Sequence, residues 1–378
     1  MVGLVQGVPL ELEADPRPGQ NETHSHINWW QEPSDLLSRF PKSTKRSDFC
    51  DWYRIVDGLL GIDSEDTPVR QRFRTLYAEL LSPAPSPLEA SRGLLCRIQL
   101  GDGLPAHLVT FTTLSEISII DFVLALFPGR GYVETNRAAP GWRSLILDGG
   151  SQPILSASGS QVLVDAHGPW QALIANCAVN WIMQMQRGLM FFHAAAVGIG
   201  GEGVLIAGDK GAGKSTLSMT LAAHGHDFFG DEIAAVRTEV FELAPFRRAL
   251  SIRKGPQAPQ VEKRLKDKSC FTETFPDGGE RIRAVTSELF PESGTRPQPV
   301  RRAFFLRGFE KSPRAELFQP RPQDLGLLAP LACTFWGSSG AARLAQMAKL
   351  LSGVKCYFLY AGNPEDTAIL VERIVRSE

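Results

Sequence analysis

The sequence predicts an α/β domain in its C-terminal half, preceded by a mixed α+β N-terminal region. Three observations carry this reading. The glycine-rich stretch "GDKGAGKSTL" at 208–217 comes after the apolar run "GVLIA" and precedes "TLSMTLAAHG", which suits a helix. Around it the pattern runs strand, loop, helix, strand, as an α/β layer does. Upstream, residues 92–168 break into short apolar runs separated by Gly, Pro, Asn and Asp, the punctuation of a sheet.

Taken in order, residues 1–26 are polar, rich in Pro and Gly and weakly patterned, and read as a flexible lead-in. Residues 27–90 read as a helical segment: "NWWQEPSDLLSRF" suits a helix, and in "VRQRFRTLYAELL" Val69, Phe73, Leu76, Tyr77 and Leu80 recur at helical spacing. "SPAPSP" at 82–87 is a turn or linker. Residues 91–188 form a mixed α+β domain with a connecting helix. Its strand candidates are "LLCRIQL", "AHLVTF", "WRSLIL" and "SQVLVDA", with "SIIDFVLALF" as a helix among them. "PWQALIANCAVNWIMQMQRG" closes it, a helix opened by Pro169 whose apolar stripe suits core packing and a tie to the C-terminal half.

Residues 189–378 hold the loop. "MFFHAAAVGIG", "GEGVLIAG" and "HDFFGDEIAAV" are strands, and the tail reads helix, strand, helix, with Asn363 and Pro364 as N-cap and first-turn residues. "VTSELFPESGTRPQP" at 285–299 looks mobile or irregular.

Composition bounds the function. A chain of 378 residues, 43% apolar and 21% charged, supports two or three cores. A formal net charge of −1 predicts no broad nucleic-acid footprint. Basic residues cluster locally in "RRALSIRK", which could serve a phosphate, and in "VEKRLKDK", which reads as a solvated face. The 6 cysteines lie apart without metal-ligand spacing, favouring free thiols in a reducing compartment. The start is a poor signal peptide, and no apolar run approaches the roughly 18–20 residues of a membrane helix. The expectation is a cytoplasmic protein with no membrane partner.

The chemistry starts at the loop. Gly208, Gly213, Lys214 and Ser215 fit G-x-x-x-x-G-K-[ST], and the span Gly208, Asp209, Lys210, Gly211, Ala212, Gly213, Lys214, Ser215 and Thr216 is the predicted nucleotide cradle. Gly208, Gly211 and Gly213 let backbone N–H groups turn inward around a phosphate. The next helix points its positive end at the same anion. Lys214 supplies a charge for the outer phosphates, and the Ser215 hydroxyl suits Mg²⁺. One helix further on, Asp231 and Glu232 end the run "HDFF-G", where strand ends face a ligand crevice. Two adjacent carboxylates can divide metal binding and proton transfer, against the plainer reading of a cap and a surface acid. His193, taken by itself, is more often a satisfied core histidine than a functional one. Arg253 and Lys254 are candidates to neutralise charge on a transferring phosphoryl group.

The stretch from "HAAAV" through "GDKGAGKSTLSMTLAAHGHDFFGDE" resembles the catalytic core of the HPr kinase/phosphorylase family, related to phosphoenolpyruvate carboxykinase: a strand with His, a hairpin turn, the loop, one helix ending in Gly, then a strand ending in two acids. With the tail "VKCYFLYAGNPEDTAILVERI", the resemblance covers 189–378. It implies that Lys214 and Ser215 hold ATP and Mg²⁺, that Asp231 activates the acceptor hydroxyl, that Glu232 stands where the family usually has Asp, and that His193 matches the family's histidine. It also implies a homo-oligomer, hexameric in many relatives, which the N-terminal mass could block or change. "LSIRKG" resembles a signature strand in which Glu precedes Ile-Arg-Gly, and here Ser251 takes the place of that Glu while Arg253 is retained. A second metal ligand and the reverse phosphorylase reaction are therefore not implied, and a specialised relative acting on a serine of a peptide or a small hydroxylated metabolite is expected. The rivals are a catalytically inactive nucleotide binder of the same fold, a GTPase, for which no N-K-x-D sequence exists, and a carboxykinase-type enzyme, for which extra metal ligands are not identifiable.

Overall fold

The computed structural model describes residues 36–40, 49–101, 106–112, 131–136, 141–148, 153–165, 170–253, 264–274, 280–321 and 341–377, with single positions at 120, 124, 139 and 324. It is a mixed α/β structure built on two large mixed sheets and a small one.

The N-terminal sheet runs in the order Leu81–Ser82, Cys50–Ile55, Gly58–Asp63, Leu94–Leu100, Ala106–Phe111, Gln161–Asp165, Leu155–Ser158, Arg143–Leu147, Gly131–Thr135. Neighbours are antiparallel except Gly58–Asp63 and Leu94–Leu100, which are parallel. All four strands expected between 92 and 168 are present, in slightly different bounds. The helix expected at 118–127 lies almost wholly outside the described residues, as do the lead-in and most of "NWWQEPSDLLSRF".

The segment 27–90 is not simply helical. Helix Thr67–Leu76 forms, opened by Asp66, whose carboxylate accepts from the Val69 N–H, and it buries Val69, Phe73 and Leu76. Ahead of it, however, Cys50–Ile55 and Gly58–Asp63 form a hairpin turning at 56–57. Gly58–Asp63 is buried on both faces, so it lacks the alternation that marks a half-exposed strand.

The second sheet surrounds the loop strand. Glu202–Gly208 pairs antiparallel with Ala195–Ile199 on one side and parallel with Gln298–Phe309 on the other. Asp227–Gly230 lies beyond Ala195–Ile199, and Lys355–Ala361 lies parallel beyond Gln298–Phe309, edged by Arg314–Phe318. Alternate residues of the central strands feed two cores. Ile206, Phe304 and Leu306 pack with Leu217 and Leu221 of helix Lys214–Ala223 and with Ala368 and Val371 of helix Pro364–Arg376. Leu205, Ala207 and Phe305 pack with Met347 and Leu350 of helix Ala341–Ser352. That is the period-two rule applied to a sheet covered on both faces. Asn363 caps the last helix by accepting from the Asp366 N–H at 2.9 Å, with Pro364 in the first turn.

The two halves share a core. Cys177, Ala178 and Ile182 of helix Trp170–Met185 pack with Ile55, Leu60 and Val164 of the first sheet and with Phe191, Phe246 and Ala249 from beyond residue 189. The helix thus ties the two parts together. Among the described residues, no helix is long and apolar enough to cross a membrane.

Candidate functional site

The glycine loop leaves the strand Glu202–Gly208 at a place where only glycine fits. Gly208 has φ 155°, and a Cβ there would stand 2.9 Å from the Leu306 Cβ and 3.2 Å from the Ala212 Cβ. Gly213, at φ 99°, takes the left-handed conformation immediately before the helix. The Ala212 N–H donates to the Asp209 carbonyl at 3.1 Å, closing the turn. Helix Lys214–Ala223 then starts with its first N–H groups at the loop, since those groups have no partner within the helix. Asp209, Lys210, Gly211 and Thr216 are exposed, while Ala212, Gly213 and Ser215 are half-buried. Lys214 is buried and donates from Nζ to the Gly208 carbonyl at 2.6 Å and the Asp209 carbonyl at 3.2 Å. Burial lowers its proton affinity, and Glu232, Asp209 and Asp231 pull it back up against Arg253.

That balance shows which side chains converge. Lys214 feels Asp231, Glu232 and Arg253, and His193 feels Lys214, Glu232 and Arg248. The expected single strand "MFFHAAAV" is two strands, Leu189–Phe192 and Ala195–Ile199, in different parts of the sheet, and His193 occupies the bend between them. There it is hydrogen-bonded to the Glu232 backbone, and burial above all lowers its proton affinity, favouring the neutral ring. Arg253 is exposed at the end of Leu250–Ile252, on the Lys214 side, and Lys254 lies outside the described residues.

The acid pair comes directly after Asp227–Gly230, whose C-terminal end lies at the same edge of the sheet as the loop, because both strands run antiparallel to Ala195–Ile199. The two carboxylates differ sharply. Asp231 is 4% exposed, and burial, then the neighbouring Glu232 charge, push it up to about 6. Its Oδ2 accepts from the Ser251 N–H at 3.4 Å. For Glu232, burial acts upward, but Arg248, Arg283, His193 and Lys214 outweigh it and bring the group down to about 2. Its Oε2 accepts from Arg248 Nη2 at 3.0 Å, and its side chain keeps 35% exposure. Burial and the neighbouring charge thus raise Asp231 while the surrounding cations lower Glu232, the kind of separation that gives paired carboxylates distinct roles.

Arg248 is a site residue that motif reading of the sequence does not single out. It is buried, and it is the direct partner of Glu232. The signal is there: two arginines in the apolar run "APFRRALSI" must find partners if buried. Arg247 finds its own away from the loop, on the Phe228, Ser293 and Gly294 carbonyls at 2.6, 2.6 and 2.9 Å and on Glu79 at 3.1 Å. The 285–299 segment opens with a helical turn, Thr286–Leu289, runs irregularly to the strand at Gln298 and is anchored between, with the Gly294 N–H also donating to Asp227 at 2.9 Å. In "VEKRLKDK" the described residues 264–268 are exposed except Leu265.

Behind the acid pair stands the N-terminal region. Tyr77, 1% exposed, is within electrostatic reach of Arg248, Arg283 and Glu232. The Ala249 N–H donates to the Leu76 carbonyl at 2.7 Å, and Glu79 accepts from the Ser287 N–H at 2.8 Å. Glu273, buried, is held between Arg283 Nε at 2.6 Å and Arg72.

No protein-family description matches the chain, and no curated protein does. Among solved structures, the HPr(Ser) kinase/phosphatase from Coxiella burnetii is similar at 15% identity and a TM-score of 0.25, over 50% of this chain and 88% of that one. That likeness is distant, and it is the site that carries the functional reading.

Proposed function

We propose that the chain is an ATP-dependent phosphotransferase that moves the γ-phosphoryl group to a hydroxyl acceptor, a serine of a peptide or a small hydroxylated metabolite. The observation that carries this is the placement of Asp231 and Glu232 at the loop edge of the sheet, Asp231 buried and Glu232 part-exposed against Arg248. An acid poised near neutral pH beside a phosphate cradle suits a general base. The resemblance of "HAAAV" through "GDE" to HPr kinases favours the same reaction, and the fold is then of the P-loop kinase type.

In this reading, Asp231 accepts the proton of the acceptor hydroxyl as its oxygen attacks the γ-phosphorus. The new O–P bond forms, the bond to the bridging oxygen breaks, and the electron pair leaves with ADP. Lys214 turns from the Gly208 and Asp209 carbonyls to the outer phosphates, and Arg253 takes up charge on the transferring group. His193, neutral and bonded at Glu232, positions that acid.

Mg²⁺ fits the donor set. Ser215, Asp231 and Glu232 offer only oxygens, the ligands this ion takes, and among the described residues no group of three or more His, Cys, Asp or Glu forms a protein-only cage. Such a sparse set suits an ion held chiefly by nucleotide phosphates and water. When bound, it would neutralise charge on those phosphates. Glu232, ionised and still part-exposed with only one oxygen on Arg248, would be the acid that joins Ser215 at the ion, which leaves Asp231 to the proton.

The test is nucleotide binding and turnover with Mg²⁺, ATP against GTP, in the native chain, Lys214→Ala and Asp231→Asn. Lys214→Ala should weaken ATP roughly 10- to 150-fold, the worth of a charged hydrogen bond. Asp231→Asn should keep binding and lose transfer. Unchanged transfer in Asp231→Asn would refute the role of that residue, and binding without turnover in the native chain would make this an inactive nucleotide-binding protein.

A further inference from the structure

Strand order gives the loop a direction. On one side of Glu202–Gly208 come Ala195–Ile199 and Asp227–Gly230, which carries the acid pair at its end. On the other side comes Gln298–Phe309, running parallel, with Leu306 paired to Gly208. Phe309 ends that strand three residues later, so it stands at the same edge of the sheet as the acids but across the loop from them.

Phe309 is 66% exposed. Its ring atoms Cε1 and Cζ lie 3.7 Å from where a Cβ on Gly213 would project, so the phenyl borders the loop at the start of the helix. The backbone beneath it is fixed, with Phe309 paired to Ala361 and the next N–H, from Glu310, donating to the Ala361 carbonyl at 2.8 Å. An isolated exposed Phe is ordinary on a protein surface. The position is what gives this one meaning. A phosphate chain lying in the loop with its terminal phosphoryl at Asp231 must leave the loop away from the acids, toward the side where Phe309 stands. Beyond the phosphates, a nucleotide continues into a sugar and a flat base.

We propose that Phe309 is the platform on which the base of the bound nucleotide stacks. This rests on the reading that residues 208–215 hold nucleotide phosphates. The ligand class is a purine nucleoside di- or triphosphate, because a bicyclic base covers more of an exposed phenyl face than a pyrimidine. Stacking accepts any base with a π-face, so Phe309 contributes grip with little discrimination between adenine and guanine.

The experiment compares ADP with inorganic pyrophosphate, which shares the phosphates and lacks the base. Calorimetric titration of the full chain in Mg²⁺ buffer would use the native protein, Phe309→Ala and Phe309→Trp, with melting curves to show that each is folded. Phe309→Ala should weaken ADP about tenfold and leave pyrophosphate within about twofold, while Phe309→Trp keeps the affinity for ADP. ADP affinity unmoved by Phe309→Ala, or pyrophosphate weakened equally, overturns the platform and leaves the loop reading intact. Failure of the native chain to bind either ligand overturns the loop reading and the platform with it.

Discussion

Replacing Glu232 by Gln tests whether the two acids divide the work. The substitution keeps size and an acceptor for Arg248, and it removes the second-largest influence holding Asp231 up at about 6 from an ordinary 3.8. We take the two charges about 6 Å apart and, with Glu232 a third open to water, an effective dielectric of about 30–40. Their repulsion is then about 1–2 kcal/mol, close to about one pH unit. Arg248, released from a charged partner, acts on Asp231 in the same direction. The assay is kcat/KM for nucleotide turnover from about pH 4.5 to about pH 8.5, where the acid limb reports the base of the free enzyme. The native limb should fall near about 6 and the Glu232→Gln limb about one unit lower. At about pH 5 the variant should then retain about five times the native fraction of its own plateau rate. A limb that stays in place, or moves to higher pH, refutes the coupling and with it the assignment of Asp231 as base.

Gly208→Ala should lower stability by about 1–3 kcal/mol, seen as a fall in Tm, because its methyl group meets Leu306 and Ala212 at a φ that side chains avoid. Arg72→Ala should cost about 1–2 kcal/mol in urea unfolding by taking one of two arginines from buried Glu273. Burial acts upward on Glu273, but Arg283 and Arg72 hold it below its ordinary 4.5, so its contribution is complete above that value and is lost as the pH falls further; Arg72→Ala should flatten this loss. His224 runs the other way. Burial acts downward, but the Glu372 hydrogen bond and the Glu365 and Glu372 charges raise the ring above 6.5, so this stabilisation is complete below 6.5 and is lost as the pH rises through the folded value. Thermal melts of Glu372→Gln against pH should show a smaller alkaline decline, since Glu365 still holds the ring.

The loop and the acid pair are legible in the sequence because their chemistry is local. Gly208 to Thr216 and Asp231 with Glu232 are short strings, and one helix sets their separation. The strands of 92–168 are legible because turn residues bracket them. What escapes is long-range. Arg72 meets Glu273 across 201 positions and Arg247 meets Glu79 across 168, and no spacing rule connects such pairs. The hairpin Cys50–Ile55 with Gly58–Asp63 escapes for a different reason: a strand buried on both faces presents an apolar run that periodicity cannot separate from a helix. His193 is visible as a residue, but its place at the bend between two strands depends on pairings with Ala234–Arg237 and with the loop strand that only the folded sheet reveals.

The seam at residue 189 is one of chemistry and not of architecture. Leu76 receives the Ala249 N–H, Glu79 grips Arg247 and Ser287, and Tyr77 lies within electrostatic reach of Arg248. A fragment beginning at 189 would keep every motif residue yet bare Phe191, Phe246 and Ala249 to water and take Glu79 from Arg247. Whoever trims this protein to a minimal form should therefore cut no later than the hairpin at Cys50, however dispensable the leading half looks on paper.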